Sequence, residues 1–243
     1  MPLLAPPLPE RIRTLAGASA VTHACVAGSP MPARRAHGGV DASGRPLLLV
    51  RPGEELYGLR GDAVVTVDLN AVRMIGAVEH PRSLLKVQGW AEAVPPETAR
   101  EAAIAIAAHS PDDALFEALE RYGEAGAPQL LRVDVGQVVY LTGQESGVLD
   151  AEEYLEAAPD PLAEVAERVL AHVNGAHRPQ LGAGVSQLLD APAEDAWLWE
   201  LDRFGATVRL GVEDPSLARF PWPEPVESGV SLESSLRALL CAC

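Results

Sequence analysis

The stretch Ala158-Pro-Asp-Pro-Leu-Ala-Glu-Val-Ala-Glu-Arg-Val-Leu-Ala-His-Val-Asn-Gly-Ala-His-Arg-Pro-Gln-Leu181 divides a strand-rich first part of the sequence from a smaller second part. Asp160 can cap a helix at this point, and Pro161 suits the first helical position. Val165 and Val169 then recur at helical spacing and mark one apolar face. The stretch therefore predicts a capped amphipathic helix between two structural regions.

The end of this helix carries a polar cluster formed by His172, Asn174 and His177. Because the two histidines are five residues apart, a continuous helix would place them about 140° apart around its axis. That differs from the i, i+4 spacing of a metal-binding pair on one helix face. We therefore expect histidines hydrogen-bonded at a domain interface, with Asn174 tying the backbone or a neighbouring turn.

The part before this helix predicts closely spaced antiparallel strands, which favour a barrel or a sandwich. Gly61 and Asn70 mark turns, and the glycine- and proline-rich residues 28–44 predict a long connection or a mobile loop. Residues 96–123 predict two helices inserted among the strands. The predicted strands are residues 19–27, 47–50, 63–69, 72–78, 83–94 and 129–142.

The part after the helix predicts a small domain of helices packed on a β-hairpin. Residues 196–202 and 205–212 alternate apolar and polar side chains on either side of a turn at Arg203-Phe-Gly205. A last helix is expected from Ser231, and the proline-rich residues 214–229 are expected to form a loop.

The charge of the sequence limits its partners. The 243 residues carry a net charge of −15, which argues against a general nucleic-acid-binding protein. Residues 1–93 contain 10 Arg and Lys against 8 Asp and Glu, whereas residues 94–243 contain 9 against 26. An anionic ligand should therefore bind against the first part. No apolar run is long enough to span a membrane, so no membrane partner is expected.

The cysteines indicate the compartment. Cys25, Cys241 and Cys243 are too few for a disulfide framework, which indicates a reducing cytoplasm. Cys241-Ala-Cys243 alone is a weak metal-binding signal. A strand would place Cys25 and His23 on one face, but a buried structural cysteine is the expected role.

Three features of the second part resemble a known combination of domains. They are the helix end His172-Val-Asn174-Gly-Ala-His177, the hairpin Trp199-Glu-Leu-Asp202-Arg-Phe-Gly205 and a closing leucine-rich helix. The first is similar to a His-Met-Asn-x-x-His signature of the domain fused to split β-barrels in the Z-type haem oxygenases. It also resembles plastid proteins that bind glutamyl-tRNA reductase. The first part looks like the split barrel of the pyridoxamine-phosphate-oxidase-like, flavin-binding proteins.

The resemblance implies a fold of the α+β class. An FMN-binding-type split β-barrel is expected over residues 10–147, and a small α+β domain is expected over residues 160–243. Barrels of this kind normally pair, so the resemblance also implies a homodimer.

The resemblance further implies a site for haem or another tetrapyrrole. Haem iron needs an imidazole or soft ligand, and His23 and His37 lie in the less acidic part. We expect one of them to bind the iron, with His172 and His177 as competitors. The cations available for the propionates are Arg34, Arg35, Arg82 and Lys86.

Two other functions stay open at this point. One is an FMN- or deazaflavin-dependent oxidoreductase, for which FMN would replace haem as the cofactor. The other is a non-enzymatic regulatory module that binds another protein through its acidic second part.

Overall fold

A computed structural model describes residues 5–59, 63–193, 195–211 and 214–240. These residues form two compact units, and the division falls inside the first helix. Residues 12–158 form the barrel unit, and the described residues up to 11 and from 159 onward form the C-terminal unit. None of the described helices is long and apolar enough to cross a membrane.

The barrel unit is built on one antiparallel sheet with the strand order β2-β1-β5-β6-β7-β4-β3, and β8 also pairs with β7. Its elements are the part of α1 (Leu8–Gly17) from residue 12 onward, β1 (Ala20–Val26), β2 (Arg34–Arg35), β3 (His37–Val40), β4 (Pro46–Val50), β5 (Val64–Ile75), β6 (Val78–Ala93), α2 (Ala99–Ala107), α3 (Ala114–Glu120), β7 (Gln129–Thr142), β8 (Ser146–Asp150) and α4 (Ala151–Glu156).

The sheet is curled, because strands that are far apart in the strand order lie close together in space. A Cβ atom added to Gly38 on β3 would lie 3.0 Å from a methyl group of Val21 on β1. The same Cβ atom would lie 2.1 Å from the Leu47 carbonyl oxygen, so only glycine fits at this position. The chain is thus a mixed α and β protein whose antiparallel sheet curls into a half-barrel.

Strand alternation decides which side chains form the barrel core. Along β5, Val65, Val67 and Leu69 are fully buried, while the residues between them face outward and are partly exposed. Leu85 and Val87 continue the buried face on β6. The period-2 pattern therefore gives the sheet an apolar inner face and a mixed outer face.

Two predictions in this unit are wrong. Asn70 was expected to mark a turn, but β5 runs through it and its side-chain amide donates to Thr22 Oγ1 at 3.2 Å. Residues 28–44 contain the short strands β2 and β3 as well as connecting loop. Gly39 permits close packing there, because an added Cβ atom would lie 2.4 Å from the carbonyl oxygen of Ala105 on α2. Gly61 lies outside the described residues.

The C-terminal unit packs helices against a three-stranded antiparallel sheet with the order β11-β10-β9. The predicted loop at residues 214–229 contains the third strand, so that prediction is corrected. The side chains of Leu181, Val185, Leu198 and Leu232 are fully buried in its core. The elements are α5 (Ala163–Ala176), α6 (Arg178–Leu189), β9 (Ala196–Asp202), β10 (Gly205–Leu210), β11 (Ser216–Pro221) and α7 (Gly229–Leu240).

Tyr154 on α4 is fully buried in the barrel unit, and its hydroxyl donates to the Gly44 carbonyl at 2.8 Å. Burial raises the pKa of this hydroxyl, opposed by the nearby Arg13 guanidinium. Replacing Tyr154 with Phe should lower the free energy of unfolding by about 1–2 kcal/mol, because the Gly44 carbonyl loses its partner in a dry site. Urea unfolding monitored by circular dichroism measures this.

The control is Tyr122→Phe, because that hydroxyl donates to the Val94 carbonyl from a residue that is 39% exposed. Water can replace the lost donor there, so a change below about 0.5 kcal/mol is expected. Equal losses in the two variants would contradict a special role for the buried hydrogen bond.

Candidate functional site

Four of the polar side chains on the outer face of the sheet lie in one cross-strand row. Strand register pairs Arg35 with His23, His23 with Asp68, and Asp68 with Lys86. Directly opposite residues of antiparallel strands share a face and have Cβ atoms about 5 Å apart. We call Arg35, His23, Asp68 and Lys86 the cross-strand row.

A β-bulge at Thr22 turns His23 outward. Val21 pairs with Leu69 on the buried face, whereas His23 pairs with Asp68 on the outer face. In a regular strand, two residues at i and i+2 would share a face, so the extra residue reverses the orientation. Without this bulge the imidazole would point into the core.

The cross-strand row is exposed and carries surplus positive charge. Lys86 Nζ lies 2.8 Å from Asp68 Oδ1, so these two charges offset each other. The side chains of His23 and Arg35 are exposed to solvent. Cys25 is half-buried and follows His23 on the same face, as its pairing with Thr66 indicates.

Large apolar side chains lie on either side of the cross-strand row. Val64 and Trp90 are register partners and are 38% and 46% exposed. On the neighbouring strands, Leu141 and Val148 are 54% and 58% exposed. The outer face therefore combines an imidazole, basic groups and uncovered apolar surface.

The structure separates the other predicted cations from this row. Arg34 pairs with Ala24, so it projects to the opposite side of its strand from Arg35. Arg82 precedes Lys86 by four residues on β6, a distance of about 13 Å along the strand. Two of the four predicted cations thus join His23 in one row.

His37 belongs to a different cluster. Its Nδ1 atom lies 3.0 Å from Ser110 Oγ and 3.8 Å from Asp112 Oδ2. The Ala114 backbone N–H donates to Asp112, and Arg51 forms an ion pair with it; both hold the pKa of this carboxyl below its ordinary value against the effect of burial. His37 is thus half-buried among polar partners, whereas His23 is exposed.

His172 and His177 contact each other in the C-terminal unit. Their Nε2 atoms form a hydrogen bond of 3.1 Å, and the ring planes are inclined by 72°, so the two histidines are hydrogen-bonded as expected, here to each other. The 140° separation expected for a continuous helix is wrong because α5 ends at Ala176. His177 has φ −127° and ψ 19°, which turns its side chain back toward the preceding turn.

The two histidines line a groove of about 670 Å³ between α5, α6 and α7, which we call the histidine groove. Its apolar wall includes Val169, Leu236 and Leu240. Arg168 and Arg237 line it too and did not emerge from the sequence analysis. The sequence does contain one indication for Arg168: it lies four residues before His172, and residues at this spacing are neighbours on the same helix face.

Asn174 ties the backbone, as the sequence predicts. Its Nδ2 donates to the Leu198 carbonyl at 2.9 Å, and its Oδ1 accepts from the Leu198 N–H at 2.9 Å. One amide thus satisfies both backbone groups of a residue on β9, where a further strand would otherwise pair. This contact fixes the last turn of α5, which lies between His172 and His177.

Comparison with known proteins gives distant relatives. No protein-family model matches the chain. The chloroplastic heme oxygenase HOZ of Arabidopsis thaliana is 27% identical over 203 residues, covering 81% of this chain and 53% of that protein. The chain therefore spans about half the length of this curated relative.

Comparison with two solved structures supports the fold through one of them. A heme binding protein from Mycobacterium smegmatis superposes with a TM-score of 0.63 at 21% identity and covers 98% of both chains. A protein of unknown function from Agrobacterium tumefaciens has a TM-score of 0.41 at 17% identity and covers 99% of both chains.

Replacing Asn174 with Asp tests the tie to β9. The carboxylate keeps an acceptor for the Leu198 N–H but places an oxygen against the Leu198 carbonyl, so the free energy of unfolding should fall by about 2–3 kcal/mol. Unfolding followed by the fluorescence of Trp197 and Trp199 measures the loss. Gln187→Glu makes the same chemical change at an exposed position of α6 and should have little effect. Similar losses in both variants would rule out the proposed role of the amide.

Proposed function

We propose that this chain is a haem-binding protein with an FMN-binding-type split β-barrel, acting in haem handling or degradation. The observation that carries the proposal is the cross-strand row, which places an imidazole and basic groups on a partly apolar, exposed sheet face. The similarity to a chloroplastic heme oxygenase and the fold shared with a heme binding protein support it.

The outer face has the side chains that haem requires. Haem is a flat apolar ring with iron at its centre and two carboxylates at its edge. The His23 imidazole can coordinate iron, and Trp90 and Leu141 offer apolar surface to the ring. Arg35 and Lys86 are cations that can pair with carboxylates. Lys86 lies two strands from His23, a distance of about 10 Å across the sheet.

Of the two histidines predicted as iron ligands, His23 fits better than His37. His37 is half-buried in a cluster with Ser110 and Asp112, away from the basic groups and the uncovered apolar side chains of the outer face. His23 faces solvent in the same row as the cations. Asp68 is the register partner of His23; its Oδ1 is paired with Lys86, and its other oxygen would be the one to orient the imidazole, as carboxylates do for metal-bound histidines.

The chain's residues would bind and orient the cofactor. Bound haem supplies an iron that can bind dioxygen, and the polar groups around the open coordination position decide between binding and activation. In this proposal His23 holds the iron, Arg35 and Lys86 hold the propionates, and the apolar residues exclude water from the ring.

Haemin titration of single variants tests the site. His23→Ala should shift the Soret band and weaken haemin binding at least about tenfold, because the axial ligand is lost. His37→Ala, His172→Ala and His177→Ala should leave both properties unchanged. Loss of binding in His172→Ala or His177→Ala alone would move the site to the histidine groove and refute the assignment to His23.

Arg35 and Arg34 form a matched pair for the same titration. Arg35→Ala should weaken haemin binding about three- to fivefold without moving the Soret band, since an exposed ion pair contributes up to about 1 kcal/mol. Arg34→Ala removes the same charge from the opposite side of β2 and should have no effect.

If FMN binds and haemin does not, the oxidoreductase alternative is favoured. If neither binds, the regulatory module is favoured.

We further propose that the chain is a homodimer that buries the outer face. The uncovered side chains of Val64, Trp90, Leu141 and Val148 lie on one sheet face, and exposed apolar patches of this kind mark association sites. A second copy offers the same face and would close a two-fold interface over the cross-strand row. Haem between two such faces would be shielded from water.

Analytical ultracentrifugation at micromolar concentration tests the dimer. The protein should sediment at twice the chain mass of 25.7 kDa. Leu141→Glu should give the single-chain mass, because a carboxylate would be buried at the interface. Ile104→Glu is the control, since Ile104 on α2 is 63% exposed but does not lie on the sheet face. A parent protein that sediments only as the single chain would refute the dimer and leave the haem test standing.

A further inference from the structure

We propose that His172 and His177 form a chelating site for one divalent transition-metal ion, such as Zn²⁺ or Ni²⁺, in the histidine groove. The site is separate from the haem proposal and does not depend on it. It rests on the convergence of two imidazole Nε2 atoms at 3.1 Å on the wall of an open groove. Imidazole nitrogen suits zinc, copper, iron and nickel ions.

The separation of the two nitrogens fits a shared ion. Two imidazoles bound to one tetrahedral ion, with metal–nitrogen bonds of about 2.0–2.1 Å, have Nε2 atoms about 3.3–3.4 Å apart. The observed 3.1 Å is within a few tenths of an ångström of that value. The ion would take the place of the proton in the hydrogen bond between the two nitrogens, after a small rotation of either side chain.

The relative tilt of the rings points the same way. The ring centroids are 4.8 Å apart, which is closer than for two rings whose Nε2 atoms point straight at each other across 3.1 Å. The ring axes are thus bent, as they must be if both lone pairs are to reach one ion. Two axial ligands of one haem would instead lie about 4 Å apart on a straight line through the iron. The pair therefore suits a small ion better than a haem.

The backbone holds both ligands in place before an ion binds. The His177 N–H donates to the Val173 carbonyl at 2.8 Å, which ends α5, and α6 begins at the next residue. Asn174 ties the same turn to both backbone groups of Leu198. Two ligands that start in position lose little conformational entropy on binding, which favours chelation.

The rest of the coordination sphere is water or added anion. Among the residues that the structure describes, no group of three His, Cys, Asp or Glu side chains is placed to hold a metal ion. Two protein ligands leave positions open on the ion. Because Arg168 and Arg237 line the same groove against one carboxylate, Glu233, an anion bound at an open position would be stabilised by the ion and by the surplus positive charge.

Isothermal titration with NiCl₂ of the untagged protein tests the site. Cys241 and Cys243, which lie outside the described residues, are thiol ligands in their own right, so the parent for this test is the Cys241→Ser/Cys243→Ser protein. One Ni²⁺ per chain should bind. His172→Ala and His177→Ala should each weaken binding at least about tenfold, because a single imidazole cannot chelate.

His109→Ala is the matched control, since it removes an exposed histidine that lies outside the histidine groove, and it should bind Ni²⁺ like the parent. The second readout is the imidazole proton spectrum, in which paramagnetic Ni²⁺ should broaden the His172 and His177 resonances before the others. His172→Gln, with a circular dichroism spectrum equal to the parent's, separates ligand loss from misfolding. Equal Ni²⁺ affinity in the His172→Ala, His177→Ala and His109→Ala proteins, or no binding by the parent at millimolar NiCl₂, would overturn the proposal.

Discussion

The antiparallel register of β1, β5 and β6 is the constraint on which the core and the outer face both depend. Side chains alternate between faces along each strand, so a slip of one residue would exchange Val67 with Asp68 and Val87 with Lys86. Such a slip would bury charges and expose the apolar core, which the protein cannot tolerate energetically. The same constraint that buries valine and leucine therefore lines up His23, Asp68 and Lys86 on the other side. A candidate ligand site and a stable core are two consequences of one pairing.

Local departures from regular secondary structure decide where the side chains of His23 and His177 point. The bulge at Thr22 turns His23 from the core to the outer face, and Thr22 itself stays bonded because its hydroxyl donates to the Asp68 carbonyl at 3.3 Å. The break between α5 and α6 at His177 has a comparable effect, because it brings His177 back onto His172. In both places one residue leaves the regular pattern while the neighbouring hydrogen bonds are kept. Irregularities of this kind are more common beside functional sites than elsewhere in sheets.

Sequence periodicity correctly predicted the strands in which apolar and polar residues alternate regularly. The predicted strands at residues 129–142 and 196–202 match β7 and β9, whose apolar residues alternate regularly. Prediction failed where a residue type has two uses. Gly38 and Gly39 indicate a loop by composition, yet they permit close packing of β3 against β1 and α2. Asn70 indicates a turn, yet its amide bonds across the sheet to Thr22. Helical spacing did not predict the contact between His172 and His177, because α5 ends at Ala176 and His177 leaves the helical conformation.

The two histidine sites differ in the chemistry that they can support, although both use imidazole. His23 stands between Arg35 and Asp68 on an outer face with uncovered apolar side chains, and one solvent-exposed imidazole in that setting suits a large flat anion. His172 and His177 bring two imidazole nitrogens to 3.1 Å, a separation that suits one small ion bound to both. The acidic charge of residues 94–243 opposes a bound anion at long range, but salt screens such charges over about 8–10 Å. Contacts within a few ångströms therefore decide what each site binds, and there the geometry of Nε2 matters more than the net charge.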